Sequence, residues 1–250
     1  MNLLARLPGM LISLPAVLLA LSFHEMCHAY AAYKLGDPTA RNLGRMTLNP
    51  IKHFDPLGFL CMVLFRFGWA NPVPINARNF KNPRRGMAIS AAAGPVSNLV
   101  LAFVSAGVLR LLLFLTGRFF EEDVISYVLQ GASSVSTGFI LMVILNLMVF
   151  FCVLYNVTYA IFNMLPVPPW DGSRVFYVFL PPKWYFAIMK YERYIMIGMM
   201  ILLCAGFLTG PLNSMTDWMA TKILWLFGVR SGTEANLILN IVIDFFNSLS

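Results

Sequence analysis

The hydrophobic pattern of the chain consists of long apolar segments separated by short polar ones. Three segments, at about residues 9–35, 87–115 and 138–165, are long enough to cross a membrane as helices. Further apolar segments follow between about residues 192 and 250, and they raise the predicted number of transmembrane helices to about four to six. Since a spanning segment must satisfy its own backbone hydrogen bonds, the pattern predicts an all-α polytopic membrane protein.

The segment between the first two predicted spans differs from the rest, because it is rich in Pro, Gly and Asn. Within it, Leu57–Phe67 is apolar but too short to cross a membrane comfortably. We expect a re-entrant or interfacial piece there, followed by extended chain, because the prolines exclude a regular helix. The segment is therefore predicted to form a short membrane-associated β-hairpin or re-entrant loop.

The composition agrees with a membrane protein. Of the 250 residues, 59% are hydrophobic and only 12% are charged, which is not typical of a soluble domain. We expect a single membrane-embedded domain over residues 1–250, with a three-helix core within about residues 9–180 and additional helices after it.

The positive charge is concentrated in one loop. The net charge is +7, and the stretch from Lys34 to Arg85 is strongly basic, with Asp37 and Asp55 as its only acids. Because basic residues mark cytoplasmic loops, this loop is predicted to be cytoplasmic and the N-terminus external, in a multi-pass protein of the cell membrane. Its position between apolar segments argues against nucleic acid as a partner.

The first predicted span contains the stretch His24-Glu25-Met26-Cys27-His28. Ionisable residues at membrane depth are costly, so they are functional candidates. On a helix this spacing places both imidazoles on one face, one turn apart, with a carboxylate beside them. The pattern is typical of a site that holds one Zn²⁺ ion, with Glu25 as the general base toward a water molecule.

Two imidazoles leave a zinc ion without a third protein ligand. Asp171 is the preferred candidate, because it lies in a proline-rich turn that should reach the same side of the membrane as His28. His53 and Asp244 are the alternatives, although the first is more typical of a loop and the second of a solvated helix face. Cys27 lies close to the metal face, and a packing role is favoured over a thiolate ligand.

Two asparagines in the predicted spans are further candidates. Asn163 precedes Asp171 by eight residues and is placed to donate a hydrogen bond to a developing oxyanion. A hydrogen bond between helices would explain Asn163 equally well. Asn98 is similarly ambiguous, and helix packing that supports the site is the favoured role.

Three stretches together resemble the site-2 protease family of intramembrane zinc metalloproteases. They are the stretch from His24 to His28, Gly94-Pro95-Val96-Ser97-Asn98, and Asn163-Met164-Leu165-Pro166-Val167-Pro168-Pro169-Trp170-Asp171-Gly172. The resemblance covers roughly residues 12–179. Widely separated motifs in the family's order make it much more specific than an HExxH pattern alone.

The resemblance implies a ligand set and an activity. His24, His28 and Asp171 would bind the zinc ion, Glu25 would be the base, and Asn163 matches the family's asparagine. The family cleaves transmembrane helices, in regulated intramembrane proteolysis or in the clearance of signal-peptide remnants. The predicted function is therefore an intramembrane zinc endopeptidase that acts on transmembrane protein substrates in the lipid bilayer.

The resemblance also implies an extended segment near the site that holds the unwound substrate. Here the candidate substrate-binding residues are Gly68, Trp69, Ala70, Asn71, Pro72, Val73 and Pro74. An edge strand offers unpaired backbone groups to a substrate helix that has to unfold before it is cleaved.

The sequence departs from larger members of the family. The loop Gly117–Thr137 is far too short for a PDZ domain, and we expect no soluble tail that could form a CBS domain. The resemblance is therefore to a compact form without a PDZ or CBS domain. A regulatory membrane partner or a homo-oligomer is left open. A membrane zinc transporter or sensor without proteolytic activity is the alternative function. It would need more polar groups along its helices than Arg110 and Asn146 provide.

Overall fold

The apolar segments of the chain fold as helices, which satisfy their own backbone hydrogen bonds. The computed structural model describes residues 3–65, 68–130, 135–230 and 232–248, and the regular elements in these ranges are all helical. The α-helices are α1 (Leu3–Lys34), α2 (Thr39–Asn42), α3 (Pro56–Phe65), α4 (Pro83–Phe119), α5 (Glu121–Gln130), α6 (Thr137–Asn163), α7 (Asp171–Tyr177), α8 (Pro182–Cys204), α9 (Thr209–Leu226) and α10 (Glu234–Ser248). The all-α prediction is confirmed.

Three helices in the described part of the chain are long and apolar enough to cross a membrane. They are Gly9–Lys34 within α1, Pro83–Phe119 and Thr137–Asn163. They correspond to the three long predicted spans, with ends that differ by a few residues. α4 begins at Pro83, before the predicted start, because proline at the first helical position costs no hydrogen bond. A total of four to six spanning helices stays a prediction.

The connecting segments differ more from the predictions. α3 is a ten-residue helix in the stretch predicted to be re-entrant or interfacial, and residues 66 and 67 of that stretch lie outside the described residues. Residues 68–76 form no helix or strand, so the predicted β-hairpin is not confirmed. α5 forms inside a segment predicted to be a loop, and α8 begins about ten residues earlier than predicted.

The chain divides into two compact units. One comprises Met1–Leu18, Val100–Asn156 and Asp217–Ser250, and the other comprises Leu19–Leu99 and Val157–Thr216. All three sequence motifs belong to the second unit, so the candidate site is described within that unit alone. The expectation of a single membrane-embedded domain stays a prediction.

The core of the first unit combines large apolar side chains with buried polar groups. Its fully buried side chains include Leu109, Leu113, Phe139, Val143, Leu147, Ile238 and Val242. Asn146 of α6 donates a hydrogen bond from Nδ2 to Thr116 Oγ1 of α4 over 2.9 Å, and both residues are fully buried. Such a bond between apolar helices helps to fix their contact.

In the second unit, α1 ends at a glycine turn. Gly36 has a φ of +107°, in the left-handed region that favours glycine. The Asp37 N–H donates to Ala32 O at 2.9 Å and the Gly36 N–H donates to Tyr33 O at 3.1 Å, which together satisfy carbonyls at the helix end. The turn brings Asp37 back against the helix, where its side chain is fully buried.

The Asp37 carboxylate joins the end of α1 to the chain before α4. It accepts hydrogen bonds from Thr39 N, Thr39 Oγ1, Asn76 N and Asn79 Nδ2, over 2.5–3.1 Å. Burial alone would raise the pKa of Asp37, but the hydrogen bonds from Thr39, Asn79 and Asn76 hold this pKa below its ordinary value. The charged carboxylate therefore stabilises this part of the fold.

We expect Asp37→Asn to lower the free energy of unfolding of the detergent-solubilised protein by about 1–3 kcal/mol at neutral pH, because hydrogen bonds to a charged group are lost. Because the pKa is lowered in the folded state, the stabilisation is complete above the unfolded-state pKa of about 4. It is lost as the pH falls through the folded-state pKa. The difference between wild type and variant should therefore shrink on acidification.

Thermal unfolding at pH 7 and at several values below pH 4 checks this expectation. Asp55→Asn is the control, since the Asp55 carboxylate accepts a local hydrogen bond from the Gly58 N–H in α3. A stability difference for Asp37→Asn that does not change with pH would contradict the charged role of Asp37.

Candidate metal centre

Two histidines of α1 face a common point. His24 and His28 are four residues apart, so they lie on one face of the helix, one turn apart. Their rings meet edge to face with centroids 4.4 Å apart, and their Nε2 atoms are 2.9 Å apart. Both residues are only 5% exposed, so this pair of ring nitrogens lies inside the protein.

Asp171 brings a carboxylate to the same point from the start of α7. Its Oδ2 atom lies 3.0 Å from His24 Nε2 and 3.1 Å from His28 Nε2. The side chain of Asp171 is 24% exposed, against 6% and 7% for the two histidines. The cluster is therefore closed on the α1 side and partly open on the Asp171 side.

The turn before α7 fixes the position of Asp171. Trp170 is buried and packs edge to face on Phe162 of α6, with ring centroids 4.9 Å apart. A Cβ atom on Gly172 would lie 2.3 Å from Met164 O. Glycine is thus required for the start of α7 to pack against the backbone that directly follows α6, and this packing carries Asp171 to the histidines.

Hydrogen bonds to two acceptors of α4 orient both imidazoles. His24 Nδ1 lies 2.6 Å from Asn98 Oδ1, and His28 Nδ1 lies 2.7 Å from Ser90 O. Asn98 Nδ2 donates to Ala20 O at 3.2 Å, so its oxygen faces His24. Since both partners are acceptors, each Nδ1 carries the proton and donates it, as is usual for histidines that bind a metal through Nε2.

The atoms that converge fit a metal cation. With the protons on Nδ1, both neutral imidazoles present Nε2 lone pairs, and the Asp171 carboxylate adds a third. Three such atoms, 2.9–3.1 Å apart, repel one another unless a cation or a proton lies between them. Neighbouring ligand atoms around a tetrahedral zinc ion are about 3.3 Å apart, from the bond lengths usual for zinc. Two imidazoles and a carboxylate are a ligand set that zinc accepts.

The backbone of α4 passes very close to these atoms. A Cβ atom on Gly94 would lie 2.4 Å from His28 Nε2 and 2.6 Å from His24 Cε1. Any side chain at this position would therefore occupy the space in which the ligand atoms meet. The helix continues through the adjacent Pro95, so the close approach is part of a continuous α4.

The carboxylate of Glu25 lies beside this cluster on α1. Glu25 is 8% exposed, and its Oε2 atom accepts a hydrogen bond from the Val73 backbone N–H over 2.8 Å. A buried carboxylate needs such a partner, because an unpaired charge is costly away from water. The structure thus supplies both an acid group next to the ligands and a donor that holds it.

Other candidates from the sequence do not join the cluster. In the residues that the structure describes, the group of side chains able to hold a metal consists of His24, His28 and Asp171. His53 is buried in its loop, with Nε2 2.8 Å from Thr47 O, and Asp244 is an exposed residue of the first unit. Cys27 is not part of this group, in keeping with the favoured packing role.

The remaining predicted residues have other contacts. Asn163 Nδ2 donates to Tyr159 O at 3.0 Å, one turn earlier in α6, and the role of Asn163 at an oxyanion stays a prediction. Asn98 bonds both Ala20 and His24, so it supports the site directly as well as linking α4 to α1. The substrate-binding role of residues 68–74 also stays a prediction.

Sequence reasoning missed the contacts that backbone atoms make. The Ser90 carbonyl and the Val73 N–H carry no side-chain signature, so no motif could identify them. Two signals were nevertheless present. Gly94 stands next to a proline in the middle of a span, and a glycine there is a sign that another group approaches the backbone closely. Pro72 and Pro74 carry no N–H, so the Val73 N–H is the one amide donor of these three residues.

Comparisons with known proteins agree with this geometry. Residues 12–205 match the profile of Peptidase family M50. The chain is 37% identical over 219 residues to "Putative zinc metalloprotease YwhC" of Bacillus subtilis, with 86% of each chain covered. It is 27% identical to "Putative zinc metalloprotease Rip2" of Mycolicibacterium smegmatis over 225 residues, which cover 88% of this chain and 74% of that protein.

No solved structure matches the chain significantly. The family match covers most of the chain and includes every residue of the His24, His28 and Asp171 cluster. It confirms the resemblance to site-2 proteases that the motifs predicted. The chain therefore belongs to Peptidase family M50.

Proposed function

We propose that this protein is an intramembrane zinc endopeptidase that hydrolyses peptide bonds in transmembrane segments of membrane proteins. The observation that carries the proposal is that Asp171 of α7 meets His24 and His28 of α1, a helix that also carries Glu25 and is apolar enough to cross a membrane. The relatives named as zinc metalloproteases support the same chemistry. Regulated intramembrane proteolysis and clearance of signal-peptide remnants are the two roles that suit such an activity.

His24, His28 and Asp171 would hold one zinc ion per chain, through Nε2, Nε2 and Oδ2. A bound zinc ion supplies a Lewis acid that polarises a carbonyl and makes water more acidic. The Nδ1 hydrogen bonds to Asn98 and Ser90 keep the two rings in the tautomer and orientation that this binding needs. The partly open side at Asp171 is where water and substrate would enter.

Glu25 would act as the general base. Its carboxylate takes a proton from the attacking water and then delivers a proton to the nitrogen of the leaving amine. Hydrolysis thus adds one water across the peptide bond and leaves a carboxyl group and an amine. Asn163 would turn its amide from Tyr159 O toward the developing oxyanion.

Residues 68–74 would bind the unwound substrate. They follow α3 and lead to Val73, whose N–H reaches Glu25, so this stretch runs beside the proposed base. The basic loop that contains it would be cytoplasmic, with the N-terminus of α1 external. Transmembrane proteins are then the substrates, and a regulatory membrane protein or a second copy of the chain is a candidate partner.

Glu25→Gln should lower cleavage by roughly 10²- to 10⁴-fold, because the general base is lost while the ligands remain. The measurement compares the membrane proteomes of two cell lines, one that carries the wild-type protein and one that carries Glu25→Gln instead. Membrane-bound substrate stubs should accumulate with the variant, and metal analysis should find its zinc content unchanged. Normal cleavage by Glu25→Gln would overturn the proposed function, and zinc flux into vesicles that persists in this variant would favour a transporter.

Loss of a residue that hydrogen-bonds a metal ligand weakens metal binding roughly 10- to 100-fold. Asp171→Ala should weaken zinc binding by more than this, because it removes a ligand itself. The purified variants are titrated against a zinc chelator, and the retained zinc is measured. Asp244→Ala is the matched control, because Asp244 was the competing carboxylate in the sequence. Full zinc retention in Asp171→Ala would remove Asp171 from the ligand set.

Gly94→Ala should also reduce zinc retention and cleavage, by roughly 5- to 150-fold, because its methyl group would overlap the histidine rings at a cost of about 1–3 kcal/mol. Gly198→Ala in α8 is the control, since a Cβ atom there meets nothing within 4 Å. The same chelator titration compares the two variants. Equal zinc retention in both would show that α4 does not confine the ligands as described.

A further inference from the structure

The stretch Asn71–Asn76, called the strap below, is tied to the rest of its unit at both ends. At its start, the Asn71 N–H donates to His53 O at 2.8 Å, and an Arg45 guanidinium nitrogen donates to Asn71 O at 2.7 Å. At its end, the Asn76 N–H donates to Asp37 Oδ2 at 2.7 Å. The strap is thus held without forming a helix or a strand.

The strap has one backbone donor in its middle. Residues 72 and 74 are prolines and carry no N–H, so the Val73 N–H is the single amide proton between Asn71 and Ile75. That proton is donated to Glu25 Oε2 over 2.8 Å. The residue before a proline is also biased to extended backbone, which restricts Val73 further.

The side chain of Val73 packs against α1 and so fixes the position of this residue. Val73 is 8% exposed and forms an apolar cluster with the fully buried Ala29 of α1 and Ala40 of α2, against which Met46 and Ile75 pack. Ala29 lies one turn after Glu25 on the helix. The packing of Val73 therefore sets the position of its N–H relative to the Glu25 carboxylate.

We propose that the strap is a positioning device for Glu25, in which the Val73 backbone N–H holds the carboxylate in the orientation needed for proton transfer. The inference rests on the proposed role of Glu25 as the general base. A hydrogen bond from a neutral donor to a buried carboxylate is charge-assisted and directional, so it restricts the side chain more than apolar packing would. Without it, the long Glu25 side chain would have several rotamers available.

This role differs from binding of substrate by the same residue. A backbone N–H that is donated to Glu25 cannot also pair with a carbonyl of an incoming substrate strand. The two roles predict different kinetics. Loss of a positioning donor lowers kcat, whereas loss of a substrate contact made equally in the ground and transition states raises KM.

The first experiment tests the hydrogen bond without any substrate. The full-length protein is labelled with ¹⁵N-valine in detergent micelles, and the Val73 resonance is identified by its disappearance in Val73→Ala. Its amide proton should exchange with solvent slowly in wild type and at least about tenfold faster in Glu25→Ala, which removes the acceptor. Asp55→Asn is the control and should leave the rate unchanged. Equal Val73 exchange in wild type and Glu25→Ala would overturn the proposal.

The second experiment separates the N–H from the side chain. Val73→Pro removes both the donor and part of the packing, whereas Val73→Ala loses packing but keeps the donor. With a labelled single-span test peptide whose apolar segment contains Gly and Asn, kcat should fall roughly 10- to 100-fold more in Val73→Pro than in Val73→Ala, with similar KM. If Val73→Pro fails to fold or loses zinc, an ester in place of the Val73 amide removes the N–H alone and should give the same loss of kcat.

The outcomes separate this inference from the proposed function. Cleavage of the peptide by Glu25→Gln at the wild-type rate would overturn the proposed function itself. An inactive Glu25→Gln together with equal kcat in Val73→Pro and Val73→Ala would overturn the positioning role alone. A raised KM with unchanged kcat in Val73→Pro would also overturn it, and would assign the Val73 N–H to substrate binding.

Discussion

The site depends on two hydrogen bonds, in which His24 and His28 donate their Nδ1 protons to acceptors outside the cluster. When His24 and His28 carry protons only on Nδ1 and donate them to Asn98 and Ser90, their Nε2 lone pairs face each other and Asp171. That arrangement is unfavourable by itself and becomes favourable with a cation. The rest of the second unit keeps the arrangement in place, through the bare backbone of α4 at Gly94 and the proline turn that delivers Asp171.

Much of this arrangement could be predicted from the sequence, because its main parts have strong periodic signals. The three long helices follow from apolar segments of spanning length. His24, Glu25 and His28 follow from a spacing that fits one helix face. Asp171 was harder to predict as a ligand, since it is more than 140 residues from the histidines along the sequence. Its selection required the helices to be placed across a membrane first. Asp171 was therefore identified from the predicted membrane topology and not from its distance to the histidines along the sequence.

Contacts through the backbone could not be predicted in the same way. Ser90 contributes a carbonyl and Val73 contributes an N–H, and every residue except proline offers both groups. Asn98 gave a visible signal, a buried amide in an apolar helix, but that signal fits helix packing as well as metal support. α5 was missed because it has only ten residues and is polar at the start, although its three acids suit the N-terminus of a helix.

The strap has a consequence for how this surface meets other chains. Residues 72–74 carry three carbonyl oxygens, of which Pro72 O accepts from Arg45 over 3.3 Å, and one N–H, which is donated to Glu25. Pairing between extended chains needs donors on one side for each acceptor on the other. Residues 72–74 of two chains would therefore face oxygen against oxygen, so these three residues cannot pair with a second copy of themselves. A chain that pairs with residues 72–74 would have to supply the amide protons itself.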